Sequence, residues 1–271
     1  MRNNAVRMFG IALFVAGLLC NTDVASGQIS SKPLPLSDAQ LAQLRSDLAS
    51  GDRSARALAT WSLALARDTV SVPGIASAFN EPWQLWPAAS WALGVIKGKQ
   101  ALEVLLRRAA DPDYGRYVIP ALGELGDTTA FQPLLALLKS SDVHSRGAAA
   151  TALGRLGNPQ AVEALLPLLD DQEVATAVAI EGITWDGEKA TIAPSTIMSG
   201  VAVRSAALDA LVQLNDRSAL TPVEAKLATA TDEKFKTSLA AAVEKLKLAP
   251  VPKSPAKQKP VVKPTTPVKR K

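Results

Sequence analysis

The feature that most constrains the fold is a short motif, Ala-Leu-Gly, which recurs along the chain at nearly equal spacing. It occupies residues 92–94, 121–123 and 152–154, and a looser copy, Ala-Leu-Val, occupies residues 210–212. The successive offsets are 29, 31 and 58 residues, so the fourth copy lies two periods beyond the third. A unit that repeats at about 30 residues predicts stacked copies of one supersecondary structure.

Residues 142–171 form the most regular copy, and their pattern predicts a hairpin of two helices. Both halves carry apolar residues at helical spacing: Ala149, Ala152, Leu153 and Leu156, then Val162, Leu165, Leu166 and Leu169. Between the halves, Gly157 suits the left-handed end of a helix. Asn158 can cap the next helix, and Pro159 suits its first position.

Each such hairpin has two apolar faces and cannot bury both alone, so neighbouring hairpins are predicted to stack. The Ala-Leu-Gly blocks, the Asp-led turns and the following Leu-Leu pairs resemble HEAT-like repeats of the short kind named after phycobilisome lyases. The resemblance covers residues 86–229 well and 37–85 weakly. It implies an all-α fold, a right-handed α-solenoid of short helix hairpins, and use as a binding scaffold.

The predicted solenoid spans residues 37–248, preceded by a linker at 28–36. Ser37 and Gln40 form a capping box that starts the first helix. At the other end, residues 232–248 form a closing helix with a charged outer side. Pro120, Pro133 and Pro222 fall inside predicted helices, where kinks or late helix starts are expected.

The unit at residues 171–200 keeps the period but loses the pattern. Apolar residues between 174 and 183 still suggest a helix, whereas residues 184–200 contain no second helix of the usual kind. We expect 184–200 to form a loop with at most one helical turn, exposed on one side of the solenoid.

Residues 1–27 have the pattern of a secretory signal peptide. Arg2 and Arg7 precede an apolar run at residues 8–19, which is followed by small residues at 25–27. The run is shorter than the roughly 20 residues of a membrane-spanning helix, so cleavage before Gln28 is favoured over a retained anchor. The mature chain is then predicted to be secreted or periplasmic. The single cysteine, Cys20, would be removed with the leader.

The charge of the chain is divided unevenly. The net charge is +5, but residues 249–271 carry +7 and the leader +1, which leaves −3 on residues 28–248. Six prolines in the same last segment predict a disordered, partly polyproline tail. Its cations are candidate contacts for an anionic envelope polymer or lipid surface, or for nucleic acid if the protein is not exported: Lys253, Lys257, Lys259, Lys263, Lys269, Arg270 and Lys271. A purely solubilising tail is the alternative.

The sequence offers no catalytic, metal or cofactor site. His144 is the only histidine and lies near Asp142 and Ser145, but these two residues are ordinary at a helix start. Without a cysteine in the mature chain, only a carboxylate metal site is chemically open, and Asp111 and Asp113 lack the required spacing. We therefore expect a protein that is not an enzyme.

Departures from the repeat pattern supply the candidate protein-binding residues. Trp83 and Trp86 lie in a tryptophan-rich stretch with Trp61 and Trp91, which either grips a partner or fills an irregular junction. Trp185, with Asp186 and Glu188, lies in the irregular unit and is either tucked over neighbouring helices or presented to a partner.

A second aromatic group could form a basic patch at one rim or simply a solvated face. It comprises Arg107, Arg108, Tyr114, Arg116 and Tyr117. Together these observations favour an exported, non-enzymatic scaffold for protein–protein interaction, with a tail attached to an anionic partner. The alternatives are a polyanion-binding protein that acts through its tail and a lyase-like chromophore-attachment enzyme.

Overall fold

The computed structural model describes residues 33–50, 52–81, 85–174, 178–185, 190–198 and 202–250, with the backbone alone between 178 and 198. Twelve α-helices lie in this part of the chain. They are α1 Asp38–Ala49, α2 Arg53–Leu65, α3 Val72–Ala76, α4 Trp86–Ile96, α5 Lys99–Ala109, α6 Pro112–Leu125, α7 Phe131–Leu137, α8 Val143–Leu156, α9 Val162–Leu165, α10 Val203–Leu214, α11 Leu220–Thr229 and α12 Glu233–Lys247.

The helices form two rows. The first helices of the repeats, α2, α4, α6, α8 and α10, each pack on the next, and each second helix packs on the first helix that follows it. Helix α1 packs on α2 at one end, while α12 covers α10 and α11 at the other. The predicted α-solenoid of short helix hairpins is confirmed. None of the described helices is both long and apolar enough to cross a membrane.

The turn chemistry predicted at Gly157 is confirmed, and it recurs at the ends of two other first helices. Gly126, Gly157 and Asn215 end α6, α8 and α10 in the left-handed conformation, with φ of 74°, 71° and 50°. The Asn158 side chain accepts a hydrogen bond from the amide of Gln160. The repeat boundaries therefore follow from local backbone chemistry.

The start of the fold also matches its prediction. Ser37 and Gln40 form the capping box of α1. Helices α7 and α11 begin late, after a 3₁₀ turn, and carry Pro133 and Pro222 in their first turns. Pro120 lies within α6, which continues past it to Leu125.

Glycines bring the first helices close together. A Cβ built on Gly94 would lie 2.9 Å from the backbone oxygen of Ala121 in the next first helix. The same construction on Gly154 places the Cβ 2.8 Å from the Cα of Ala210. The recurring Ala-Leu-Gly motif thus pairs the glycine of one repeat with the alanine of the next.

The irregular unit departs from its prediction in two ways. First, residues 178–198 contain an antiparallel β-hairpin, β1 Val178–Trp185 and β2 Ala190–Met198, so neither a helix near 174–183 nor a loop at 184–200 is correct. Second, α8 packs directly on α10. The unit is therefore an insertion between two stacked repeats, and its repeat-like length does not make it a member of the stack.

The folded part ends slightly later than expected. Ala249, where the predicted tail begins, is buried, and the amide of Arg217 donates to the carbonyl of Pro250 at 3.4 Å. The rest of the tail, residues 251–271, and the leader at 1–27 lie outside the described residues. The predictions about both segments remain predictions.

Candidate interaction surfaces

The hairpin insertion leaves and rejoins the solenoid at one point. The amide of Val203 donates to the carbonyl of Glu173 at 3.1 Å, and Val174 forms an isolated antiparallel bridge with Ala202. The side chain of Val174 is exposed. Because its two ends are paired with each other, the inserted segment leaves and re-enters the solenoid at one place, and the stack of helices is uninterrupted.

Arg146 of α8 holds the base of the inserted segment through hydrogen bonds. Its Nε donates to Asp171 at 2.8 Å, its Nη2 donates to Glu173, and its Nη1 donates to the carbonyls of Ser140 and Ser141 at 2.9 and 3.1 Å. Only 13% of its side chain is exposed. The hydrogen bond to Asp171 raises the pKa of Arg146, and the bond to Glu173 adds to this effect.

The same position carries an arginine in two other first helices. Arg56 donates to the carbonyl of Leu48 at 3.1 Å and to both carboxylate oxygens of Glu81. Arg204 donates to Asp232 at 2.6 Å and lies 4.5 Å from the centre of the Phe235 ring. These arginines join a first helix to the loop or cap that precedes the next one.

The sequence analysis did not identify these three arginines, although their recurrence is visible when the repeats are aligned. Arg146 precedes Gly154 by eight residues, and Arg204 precedes Val212 by the same number. Arg56 stands eight residues before Ala64, which occupies the glycine position in α2. An alignment of the repeats by this small residue would have revealed the recurring arginine.

The hairpin carries one of the predicted contact groups. Trp185 is the last residue of β1, and its backbone pairs with Ala190. Asp186 and Glu188 fall in the connection between the strands, outside the described residues. Strand β2 lies against α2, which is the N-terminal member of the row of first helices. The insertion therefore returns to the far end of the row of first helices.

The tryptophan-rich stretch forms a packed junction between the first repeats. Trp61 of α2 and Trp91 of α4 stack with ring centres 4.0 Å apart. Trp86 lies 4.1 Å from the Tyr114 ring, and its Nε1 donates to the carbonyl of Glu81 at 2.9 Å. Trp83 lies outside the described residues. Trp86 thus packs within the junction, while its proposed partner contact remains a prediction.

The second aromatic group is partly assembled around Tyr114. Its hydroxyl donates to the carbonyl of Phe79 at 3.0 Å, and the guanidinium of Arg108 lies 4.8 Å from its ring centre. Arg108 also donates to the side chain of Asn80 at 3.2 Å. Arg107 is exposed, so this patch combines one arginine used in packing with one open to solvent.

Two other members of the patch, Arg116 and Tyr117, are half-buried. Burial raises the pKa of the Tyr117 hydroxyl, and the nearby charge of Arg116 opposes that rise. The Nε of Arg116 is buried and has no hydrogen-bond partner. The group as a whole is therefore a packed junction with a polar edge, and it is not a flat basic surface.

The residues around His144 act as a helix cap. The Asp142 carboxylate accepts hydrogen bonds from the Ser145 amide at 2.8 Å and from its hydroxyl at 2.6 Å. Burial alone would raise the pKa of Asp142, but these hydrogen bonds lower it. In the described parts of the chain, no three His, Cys, Asp or Glu residues are grouped as a metal site requires.

The stacked helix hairpins and the insertion define a class of protein, an α-solenoid built on repeats. A family model described as HEAT repeats matches residues 106–184, from α5 into β1. Over these residues the chain is similar to HEAT-repeat proteins. Proteins of this kind commonly serve as protein-interaction scaffolds and are generally non-enzymatic. No curated protein matches the chain.

Proposed function

We propose that this protein is an exported, non-enzymatic scaffold that holds another protein through its hairpin insertion. The observation that carries the proposal is the direct packing of α8 on α10, which leaves the β1–β2 hairpin outside the stack of helices. A segment that is not one of the stacked helices is free to vary for recognition. The surrounding repeats hold its two ends in place.

The anchoring at its base supports the same role. Arg146 binds Asp171 and Glu173 directly before the insertion, and the Val174–Ala202 bridge follows. A recognition element on a fixed base loses less conformational entropy on binding than a free loop does. The solenoid would therefore position the hairpin for its partner.

The leader and the tail supply the remaining parts of the proposal. The signal-like pattern of residues 1–27 directs the chain out of the cytoplasm. The seven cations of the last 23 residues attach it to an anionic envelope polymer or lipid surface. Such attachment would be weak and sensitive to salt.

Affinity capture from the envelope fraction tests the scaffold function. Three forms are compared with the intact chain: one with residues 175–201 replaced by Asn-Gly, one with Trp185→Ala, and one without residues 251–271. We expect a partner that is retained without the tail and lost without the hairpin. Thr184→Ala, in the same strand, is the control for Trp185→Ala.

The opposite result would favour a polyanion-binding protein. If removal of the tail abolishes all capture, and capture by the intact chain falls steeply with salt, the tail is the active part. Export is tested separately by N-terminal sequencing of the purified protein. A mature chain that begins at Gln28 supports export, whereas a cytoplasmic protein that retains Met1 contradicts it.

A further inference from the structure

The two outer edges of the hairpin differ in their hydrogen-bonding capacity. Pro194 of β2 pairs with Glu181 of β1, and proline has no backbone N–H. In an antiparallel ladder, directly opposed residues alternate between pairs that exchange hydrogen bonds and pairs that do not. The Glu181–Pro194 pair must be of the second kind, so its backbone groups point away from the partner strand.

This assignment fixes the rest of the ladder, because the register is regular from Ala179–Thr196 to Trp185–Ala190. Residues 179, 181, 183 and 185 present their N–H and C=O groups on the outer edge of β1. Residues 190, 192, 194 and 196 do so on the outer edge of β2. The β1 edge therefore has a full set of donors, whereas Pro194 interrupts the β2 edge near its middle.

The outer edges of β1 and β2 also differ in their surroundings. Strand β2 lies against α2 of its own chain. Among the described residues, the sheet contains β1 and β2 alone. A sheet of two strands is marginally stable by itself, and an open edge with a complete row of donors is a template for another strand.

We propose that the β1 edge binds the β1 edge of a second copy of this chain, which joins two hairpins into a four-stranded antiparallel sheet. The edge is self-complementary about a two-fold axis at Gly182. In that register residue 179 faces 185 of the second copy, and 181 faces 183. All four outward residues of each strand then exchange hydrogen bonds with outward residues of the other.

The two neighbouring registers, with the axis at Glu181 or at Ile183, are poorer because each leaves one outward residue of β1 without a partner in the strand. A shift that places the axis at Glu181 sets two carboxylates directly opposite each other and leaves Trp185 without a partner. With the axis at Gly182, each Glu181 faces Ile183 of the second copy. The edges of β2, each interrupted by Pro194, become the outer edges of the joint sheet. Growth stops at two chains, which gives a closed dimer and not a fibre.

Sedimentation equilibrium of the chain from residue 28 tests the proposal, at concentrations up to about 100 μM because the interface is small. Ile183 and Ile192 are directly opposed within the hairpin, and each has an outward N–H. Ile183→Pro removes a donor from the β1 edge and should give a monomer. Ile192→Pro makes the same change on the β2 edge and should remain dimeric.

Charged substitutions at the two-fold axis give a second readout that does not depend on proline. Gly182→Lys and Gly182→Asp each place like charges opposite one another, so each alone should be monomeric, and an equimolar mixture should form a heterodimer. A wild-type chain that stays monomeric overturns the proposal. So does a dimer that survives Ile183→Pro, or a loss of dimer in both proline variants with no recovery in the Lys and Asp mixture.

Discussion

A Cβ atom placed on Gly123 would lie 2.8 Å from the Cα of Ala152, in the next first helix of the stack. No side chain can be accommodated there unless α6 and α8 move apart. Because Gly94 and Gly154 meet Ala121 and Ala210 in the same way, the spacing between successive helices from α4 to α10 in the row of first helices depends on this type of contact.

Gly123→Ala should therefore destabilise the solenoid by about 1 to 3 kcal/mol through overpacking. The control is Gly147→Ala, since a Cβ on Gly147 meets nothing within 4 Å. That change should instead raise the free energy of unfolding by about 0.5 to 1 kcal/mol, as alanine favours the helix. Urea unfolding of both variants measures the difference, and equal effects would argue against the close packing of α6 on α8.

Arg146→Met should loosen the base of the hairpin insertion. The change removes the bonds to Asp171, Glu173 and two carbonyls, and we expect a loss of about 1 to 3 kcal/mol in stability. Amide hydrogen exchange at Val203 should become faster. Arg155→Met is the control, because its ion pair with Glu124 is exposed and 3.8 Å long. If both variants behave alike, Arg146 does not fasten the insertion.

The Arg45–Asp68 pair should make stability depend on pH. Hydrogen bonds from Arg45 at 2.6 and 2.9 Å lower the pKa of Asp68, although burial opposes the shift. A carboxyl group with a lowered folded-state pKa stabilises the fold above its unfolded pKa of about 3.9. This contribution is lost as the pH falls through the lower folded-state pKa.

Asp68→Asn should accordingly lower the melting temperature most at pH 7 and progressively less below about pH 4. Thermal unfolding of the wild type and the variant across this range measures the effect. A difference in melting temperature that stays constant from pH 7 to pH 3 would mean that the Asp68 charge does not contribute.

Substitutions at the aromatic junction separate packing from partner binding. Trp86→Ala removes the contact with the Tyr114 ring and the bond to Glu81, and it should cost about 2 to 4 kcal/mol. Tyr114→Phe, which loses only the bond to Phe79, should cost about 1 kcal/mol. If Trp86→Ala leaves the urea midpoint unchanged but abolishes partner capture, Trp86 is a contact residue and not a part of the core.

Much of the stack could be predicted because it depends on local signals. Gly157, Asn158 and Pro159 specify the end of one helix and the start of the next without reference to the rest of the chain. The contact between Trp86 and Tyr114 could not be predicted in this way. It joins residues 28 positions apart, in the first turns of α4 and α6, and Tyr114 also binds Phe79 in the irregular turns before α4.

The insertion shows where periodicity misleads. Residues 174–183 contain apolar side chains at spacings that fit a helix, yet the same stretch also fits the alternation of a strand. The length of residues 171–200 matched the repeat, so the period alone suggested another stacked unit. Only the packing of α8 on α10 reveals that the stack omits it.

Replacement of residues 175–201 by Asn-Gly tests the central claim most directly, namely that the hairpin is inserted into an uninterrupted stack. The amide of Val203 already binds the carbonyl of Glu173, so a four-residue loop, Val174-Asn-Gly-Ala202, can join the two ends. The account predicts that the helical circular dichroism per molecule is retained and that urea unfolding remains a single cooperative transition with a similar midpoint. Loss of cooperativity, or a large fall in the midpoint, would contradict it and make residues 171–200 a structural member of the solenoid.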